Sequence, residues 1–392
     1  MSDTMHTYLK EYGDVSFSER PMNDVDSLLL CQFAYLKFDG MVPEIGEDKP
    51  SVTLTDLDRH PQREQLFADE RFEKDNRELF EGMLAGRRFR NIKINCHINV
   101  VEKEWETQFA AVTVILEDGT IYVAFRGTDE TIIGWKEDFN MAFLSPVPGQ
   151  AMSVKYLNMV TERFPDSFYV GGHSKGGNFA VYSAMNCTPQ VQERIIKIFS
   201  MDGPGFRPEV LKECGYDRIA DRVVKILPHS SMVGMLFEWD TGYRVVESRS
   251  FSLAQHNPYN WKIKDGEFVA ADDIYERARL TDNAINEWIM SHDESHIKLF
   301  VDTLYQVISA SEADDLIALT ADWKKSMEGV ISALKEVDED TVQMLQETVK
   351  ELFELAKARV KEELTKPFRK VAELSKGGNR PERETEAVPP TA

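Results

Sequence analysis

Positive charge is scarce in this 392-residue chain: 46 lysines and arginines face 67 aspartates and glutamates, a formal net charge of −21 at pH 7. Clustered cations are what neutralise phosphates or hold an anionic bilayer, so the balance argues against a nucleic-acid binder and against electrostatic membrane attachment. No apolar run approaches the roughly 20 residues that span a bilayer. The longest covers residues 109–116, a strand's length. The first residues, Met1-Ser2-Asp3-Thr4-Met5-His6, show no basic region followed by an apolar one, which reads as no signal peptide. Cysteine is sparse: Cys31, Cys96, Cys187 and Cys214 lie far apart with no C-x-x-C pair, so buried thiols are expected rather than a zinc site or disulfide framework. The expected compartment is the cytoplasm, with secretion by an unusual route left open. Also missing are a G-x-x-x-x-G-K-[ST] phosphate loop, H-E-x-x-H, an EF-hand pattern and any internal repeat. No cofactor and no metal are expected.

What is present suffices for a sizeable core: 42% of residues are hydrophobic and 10% aromatic, which excludes disorder throughout. Residues 27–36 read as a helix with a buried face, with Asp24 and Asp26 near its start where acids suit the dipole. Residues 62–87 form a helical surface pattern that Gly86 ends. Ile92, Ile94, Cys96, Ile98 and Val100 alternate with a strand's period of two. Residues 109–116 and 121–125 are further strands around the turn dipeptide Asp118-Gly119, and the latter is apolar enough to be central. A helix over about 149–163 and strands at 168–170, 195–200 and 223–227 follow, then a hairpin over 243–248 and 250–253. Strands alternating with helices predict an α/β fold with a mostly parallel sheet and flanking helices.

From about residue 281 the pattern is helical. Val342, Leu345, Val349, Leu352, Ala356, Val360 and Leu364 step by three or four, an amphipathic helix that needs a partner face. Packing on its own domain is the first reading and a homo-oligomer through these C-terminal helices the second. The expected organisation is a core domain over residues 1–280 with N-terminal helices to residue 88. A helical C-terminal extension over 281–375 and a disordered polar tail over 376–392 complete it.

Gly172-His173-Ser174-Lys175-Gly176 matches G-x-S-x-G, with an apolar strand before it and a helical pattern after it. That chemistry needs a serine on a sharp strand-to-helix turn, and the neighbours two positions away must be tiny to avoid colliding across it. The bland reading is a glycine-rich helix start whose serine only caps. Serine needs a base, and in this fold the histidine follows it, leaving His229, His256, His292 and His296. His256 lies in the turn-rich run Gln255-His256-Asn257-Pro258 just beyond a strand and is the candidate. His292 and His296, four apart with no third ligand, read as a solvated helix face rather than a metal site. The oxyanion needs two N–H donors: one from Lys175, which follows the nucleophile, and one from Thr128 in the loop after the 121–125 strand.

The block Phe125-Arg126-Gly127-Thr128-Asp129, with Trp135 and Asp138, resembles the F-R-G-[ST]…W-x-x-D block of the class 3 (fungal-type) lipases. The resemblance implies the oxyanion role for Thr128. The run Gly172-His173-Ser174-Lys175-Gly176-Gly177-Asn178, with Asp202-Gly203-Pro204-Gly205-Phe206 and Gln255-His256-Asn257-Pro258, resembles more closely a bacterial family of lipase-like α/β-hydrolase proteins, mostly of unknown substrate. The resemblance covers roughly residues 15–310 and implies an α/β-hydrolase fold.

Two departures stand out. Ser231 occupies the place where the class 3 lipases carry their catalytic aspartate, and a serine cannot stabilise an imidazolium as a carboxylate does. Asp202, just beyond the 195–200 strand, is the preferred substitute; capping the Gly203-Pro204-Gly205 turn is its bland alternative, and Glu238 and Asp240 are weaker candidates. Lys175 stands where lipases usually have an apolar residue; its ammonium either pairs with an acid or meets an anionic substrate group. The apolar side chains near residues 133–144 either cover the site or join the core, the second being the first choice.

The expected function is a serine hydrolase of esterase or lipase type acting on a small ester or lipid, with Ser174, His256 and Asp202 as triad. Thioesterase or peptidase chemistry on the same site is one alternative. A degraded hydrolase fold acting as a binding or scaffold module through its C-terminal helices is the other.

Overall fold

The computed structural model describes residues 4–68, 72–102, 104–128, 132–238 and 242–309, with a few positions between 343 and 355. Its centre is an eight-stranded sheet: β1 (Val52–Thr53), β2 (Lys93–Glu102), β3 (Thr107–Ile115), β4 (Ile121–Phe125), β5 (Phe168–His173), β6 (Ile195–Met201), β7 (Val223–Pro228) and β8 (Arg244–Val246). Strands lie in the order of the chain. β1 to β4 pair antiparallel, and β4 to β8 pair parallel. The helices, in chain order, are α1 (Met5–Tyr12), α2 (Asp24–Phe33), α3 (Leu54–Asp58), α4 (Glu73–Ala85), α5 (Arg87–Arg90), α6 (Ile132–Asn140), α7 (Pro148–Arg163), α8 (Lys175–Asn186), α9 (Pro189–Gln192), α10 (Pro208–Cys214), α11 (Glu276–Ser291) and α12 (Glu294–Ser309). The sheet topology and helical layers define an α/β-hydrolase fold.

Sequential parallel strands have a geometric consequence. Right-handed crossovers that always step the same way put their helices on one face. Accordingly α7 and α8 share one core with Val123, Phe125, Val170 and Ile198 of the sheet, and α11 and α12 add Trp288, Ile289, Ile297 and Val301 to it. The other face is covered from the N-terminal side. Tyr122, Ala124, Phe199 and Met201 pack there with Leu28, Leu29, Phe33, Leu79 and Phe80 of α2 and α4. β4 is therefore apolar on both faces, as its composition predicted.

α2 begins where its caps allow. Asn23 Oδ1 accepts the amides of Val25 and Asp26 at 2.9 Å each, and Asp26 Oδ2 accepts the Asn23 amide at 3.0 Å. The helix is buried nearly all round, from Val25 to Phe33, because it lies between the sheet and α4. Residues 62–87 are two helical pieces rather than one, a 3-10 turn at Arg63–Phe67 and then α4.

Two expectations are corrected. The period-two strand at 92–100 breaks at a bulge between Asn95 and Ile98, with Cys96 at φ 54°. Ile94 therefore faces the N-terminal core while Cys96 faces the other. No hairpin forms over 243–253. β8 pairs parallel with β7, the second arm is a 3-10 turn at Ser252–His256, and the hairpin lies further on, at β9 (Ile263–Lys264) and β10 (Glu267–Phe268). Parallel pairing satisfies β8 from the β7 side, which frees the following residues to form a loop.

Among the described residues no helix is long and apolar enough to cross a membrane. The predicted amphipathic helix over 342–364 and the tail over 376–392 lie almost wholly outside the described residues. Glu351, one of the few described there, accepts the Trp288 indole N–H at 3.2 Å.

Candidate active site

The C-terminal ends of adjacent parallel strands bring the predicted residues together. Phe125 at the end of β4 is level with Gly172 of β5, and Gly172 with Ser200 of β6. The chain segments that leave these strands carry Thr128, Ser174 and Asp202 respectively.

Ser174 joins β5 to α8 at φ 59°, ψ −134°, a backbone region that costs a non-glycine residue energy. Its amide donates to Met201 O at 2.9 Å, and its carbonyl accepts the Gly177 amide at 2.8 Å. A Cβ on Gly172 would lie 2.2 Å from the Gly176 carbonyl carbon, so the turn closes only with glycine there. On the other side, a Cβ on Gly127 would lie 2.6 Å from His173 O and 2.9 Å from Ser174 Cβ. The loop 126–128 thus passes directly beside the serine. Lys175 is the first residue of α8, where amides have no partner within the helix.

His256 Nδ1 donates to Asp202 Oδ2 at 2.7 Å. The Asp202 side chain is fully buried and the His256 side chain 23% exposed, so the ring bridges the interior and the solvent-facing surface. Asp202 Oδ1 accepts the hydroxyl of Ser231, and Ser231 Oγ in turn accepts the Gly234 amide at 3.0 Å. The serine at the lipase-acid position therefore points at Asp202. Asp202 is at φ 50°, and its amide donates to Ile226 O at 2.8 Å, which anchors it to β7. His256 Nε2 has no partner among the described residues, and neither has the Ser174 hydroxyl. Such contacts are often loose without substrate and tighten when it binds.

The loop carrying His256 is pinned by its neighbours. Gln255, wholly buried, accepts the Ser230 amide at 2.8 Å, and Trp261 donates to Gln255 O at 2.9 Å. His173 adds a contact that sequence reasoning missed. Its Nε2 donates to His256 O at 2.8 Å, its Nδ1 accepts from Tyr35 Oη at 3.1 Å, and its ring centroid is 4.6 Å from that of His256. No pattern in the sequence links residues 35, 173 and 256; only the sheet does.

The other candidates go elsewhere. His229 accepts the Ser248 amide at 3.2 Å and contacts Gln255; burial lowers its pKa. Glu238 is ion-paired with Lys225, and Asp240 lies outside the described residues, as does Asp129. His292 caps α11 and His296 lies on α12, so they do not share one helix; their rings pack 4.5 Å apart beside Trp288. Among the described residues no cluster of three or more His, Cys, Asp or Glu could hold a metal. Met141 is buried, and Phe139 and Phe143 pack on the same core, while Leu144 is exposed. The Trp135 side chain lies outside the description. The Lys175 ammonium turns inward to Glu137 at 2.9 Å, so it is not offered to a substrate anion.

Thr128 Oγ1 donates to Asp138 Oδ2. Asp138 as a residue is half-buried, yet its Oδ1 is enclosed and meets no donor among the described residues. Burial pushes its pKa from 3.8 up to about 6, against the pull of Lys175 and the Thr128 hydroxyl. A pKa raised on folding means that protonation favours the fold. This contribution is full below the ordinary value and is lost as pH rises through about 6. The urea midpoint should therefore fall more steeply between pH 5 and pH 7 in the wild type than in Asp138→Asn. Equal slopes would contradict the assignment.

A serine at a strained strand-to-helix turn and a histidine held by a buried aspartate, both on an α/β-hydrolase sheet, fit a lipase-like class. The chain belongs to the Mbeg1-like family, whose model matches residues 83–306, more than half of its length. It is also similar to M37 lipase in that protein's crystal structure, at 13% identity over 53% of this chain and 67% of the other, with a TM-score of 0.34. No curated protein matches it.

Proposed function

We propose that the chain is a serine hydrolase of the esterase or lipase type, cleaving a carboxylic ester through an acyl-enzyme on Ser174. The carrying observation is the 2.7 Å contact between His256 Nδ1 and the buried Asp202, which leaves His256 Nε2 as the free ring nitrogen. In this reading Nε2 takes the Ser174 proton as Oγ bonds to the carbonyl carbon. The tetrahedral oxyanion is held by the Lys175 and Thr128 amides. As the C–O bond to the alcohol breaks, His256 returns the proton to the leaving alkoxide. Water then attacks the acyl-enzyme by the same route in reverse, releasing the acid and restoring Ser174. Asp202 keeps Nδ1 protonated and stabilises the imidazolium. Acid, base and nucleophile all come from this chain.

The same arrangement serves any acyl group, so esters, thioesters and peptides are separated by a substrate panel. Intact-mass analysis after fluorophosphonate treatment tests the reading. One adduct is expected on wild type and none on Ser174→Ala. A well-folded wild type that takes no adduct would contradict the hydrolase and favour a binding or scaffold role.

A further inference from the structure

A lysine directly after the nucleophile is expensive to bury, since an enclosed ammonium needs a counter-charge and acceptors for its three protons. All are supplied. Lys175 is 1% exposed and Glu137 wholly buried. Nζ donates to Glu137 Oε2 at 2.9 Å, Gln108 Oε1 at 3.2 Å and Gly134 O at 3.4 Å. The carboxylate also accepts the Gln108 amide at 3.1 Å and the Gly149 amide at 2.8 Å. Gly149 is in the first turn of α7, so a helix N-terminus faces the negative charge. One carboxylate thus ties β3, α6, α7 and the first residue of α8. The next residue on α6, Asp138, holds the Thr128 hydroxyl. Adjacent acids on α6 therefore grip the two side chains whose backbone amides form the oxyanion hole in the reading above.

We propose that Glu137 is a positioning residue: its buried ion pair with Lys175 sets the spacing of the Lys175 and Thr128 amides, and through it the strength of the oxyanion hole. The inference rests on the serine-hydrolase reading. Oxyanion donors act only where they meet the transition-state oxygen, so misplacing them lowers kcat and leaves substrate binding intact. Both charges are buried.

The test uses the full chain, p-nitrophenyl butyrate as substrate and a fluorophosphonate to count working sites. Glu137→Gln and Lys175→Met should each lower kcat per site by about 10²-fold, with KM within about two-fold. Either single variant leaves a buried charge unpaired and can fail to fold. The double variant E137Q/K175M keeps the volume and removes both charges at once, so it lacks the isolated buried charge of either single variant. It should melt above either single variant yet keep the kcat loss of a single variant, not the product of two losses. A double variant with wild-type kcat would make the pair a structural staple and overturn the proposal, as would folded single variants with wild-type kcat. A wild type that takes no fluorophosphonate would fail the hydrolase reading separately. The positioning role is then decided in E137Q/K175M by NMR of the amide of Thr128, a residue that the substitutions leave in place. Its signal should shift and exchange faster with solvent than in wild type, and an unmoved signal overturns the role.

Discussion

Asp202→Asn should reduce ester turnover by about 10⁴-fold, the loss that follows when a triad acid is neutralised in the Ser-His-Asp proteases. The geometry explains the size. Asp202 is wholly buried and bonds His256 Nδ1 through one oxygen and the Ser231 hydroxyl through the other. An amide of the same shape loses the charge that stabilises the imidazolium. It also sets an NH2 against either the His256 N–H or the Ser231 hydroxyl, which promotes the wrong tautomer. Fluorophosphonate labelling should slow in parallel, since it needs the same activated serine. The melting temperature should change far less than the rate. A variant within ten-fold of wild type would remove Asp202 from the triad. Glu238 would not inherit the role, because it is committed to Lys225.

The largest loss of stability is expected from Arg88→Met. Arg88 and Asp26 are both wholly buried. The guanidinium bonds both carboxylate oxygens and also donates to Val15 O and Arg20 O at 2.9 Å each. Tyr8 Oη donates to Asp26 at 2.8 Å, and the Phe17 ring lies 4.0 Å from the guanidinium carbon. α1, α2 and α5 meet at this one pair. Removing the arginine leaves a buried carboxylate with no counter-charge, which costs about 3–5 kcal/mol. That is a large share of a typical total of about 5–15 kcal/mol. Urea denaturation at pH 7 measures it. Adding Asp26→Asn to the arginine variant should recover most of the loss, because the neutral pair no longer carries an isolated charge. A single variant within about 1 kcal/mol of wild type would show that the pair contributes only as exposed ones do.

Much of the site was legible in the sequence because its parts are local. Ser174 needs two glycines at fixed offsets, a strand before and a helix after, and all of these lie within a short segment. The central strand 121–125 is apolar at every position, so its burial on both faces follows from composition. Asp26 was legible only as an acid near a helix start. Its burial against Arg88 joins residues 62 apart in the chain, and no periodicity records that. Ser231 in the expected acid's place raised the question of which acid serves the site, and only coordinates show its hydroxyl on Asp202, which also holds His256. Lys175 raised a similar question: a cation at an apolar elbow position calls for a partner. Its partner lies in the run Trp135-Lys136-Glu137-Asp138, and nothing in the spacing says which of the two adjacent acids faces inward.

The sequence by itself determined the α/β class, the G-x-S-x-G turn at Ser174, and the absence of a nucleotide or zinc motif, because each is written in short-range pattern or composition. Tertiary structure decided the rest. It brought Asp202 to His256, paired Glu238 with Lys225, sent Lys175 inward to Glu137, and covered the free face of the sheet with the N-terminal helices. Those choices depend on which strand ends lie side by side, and strand adjacency is set by the packing of the whole sheet rather than by any segment of the chain.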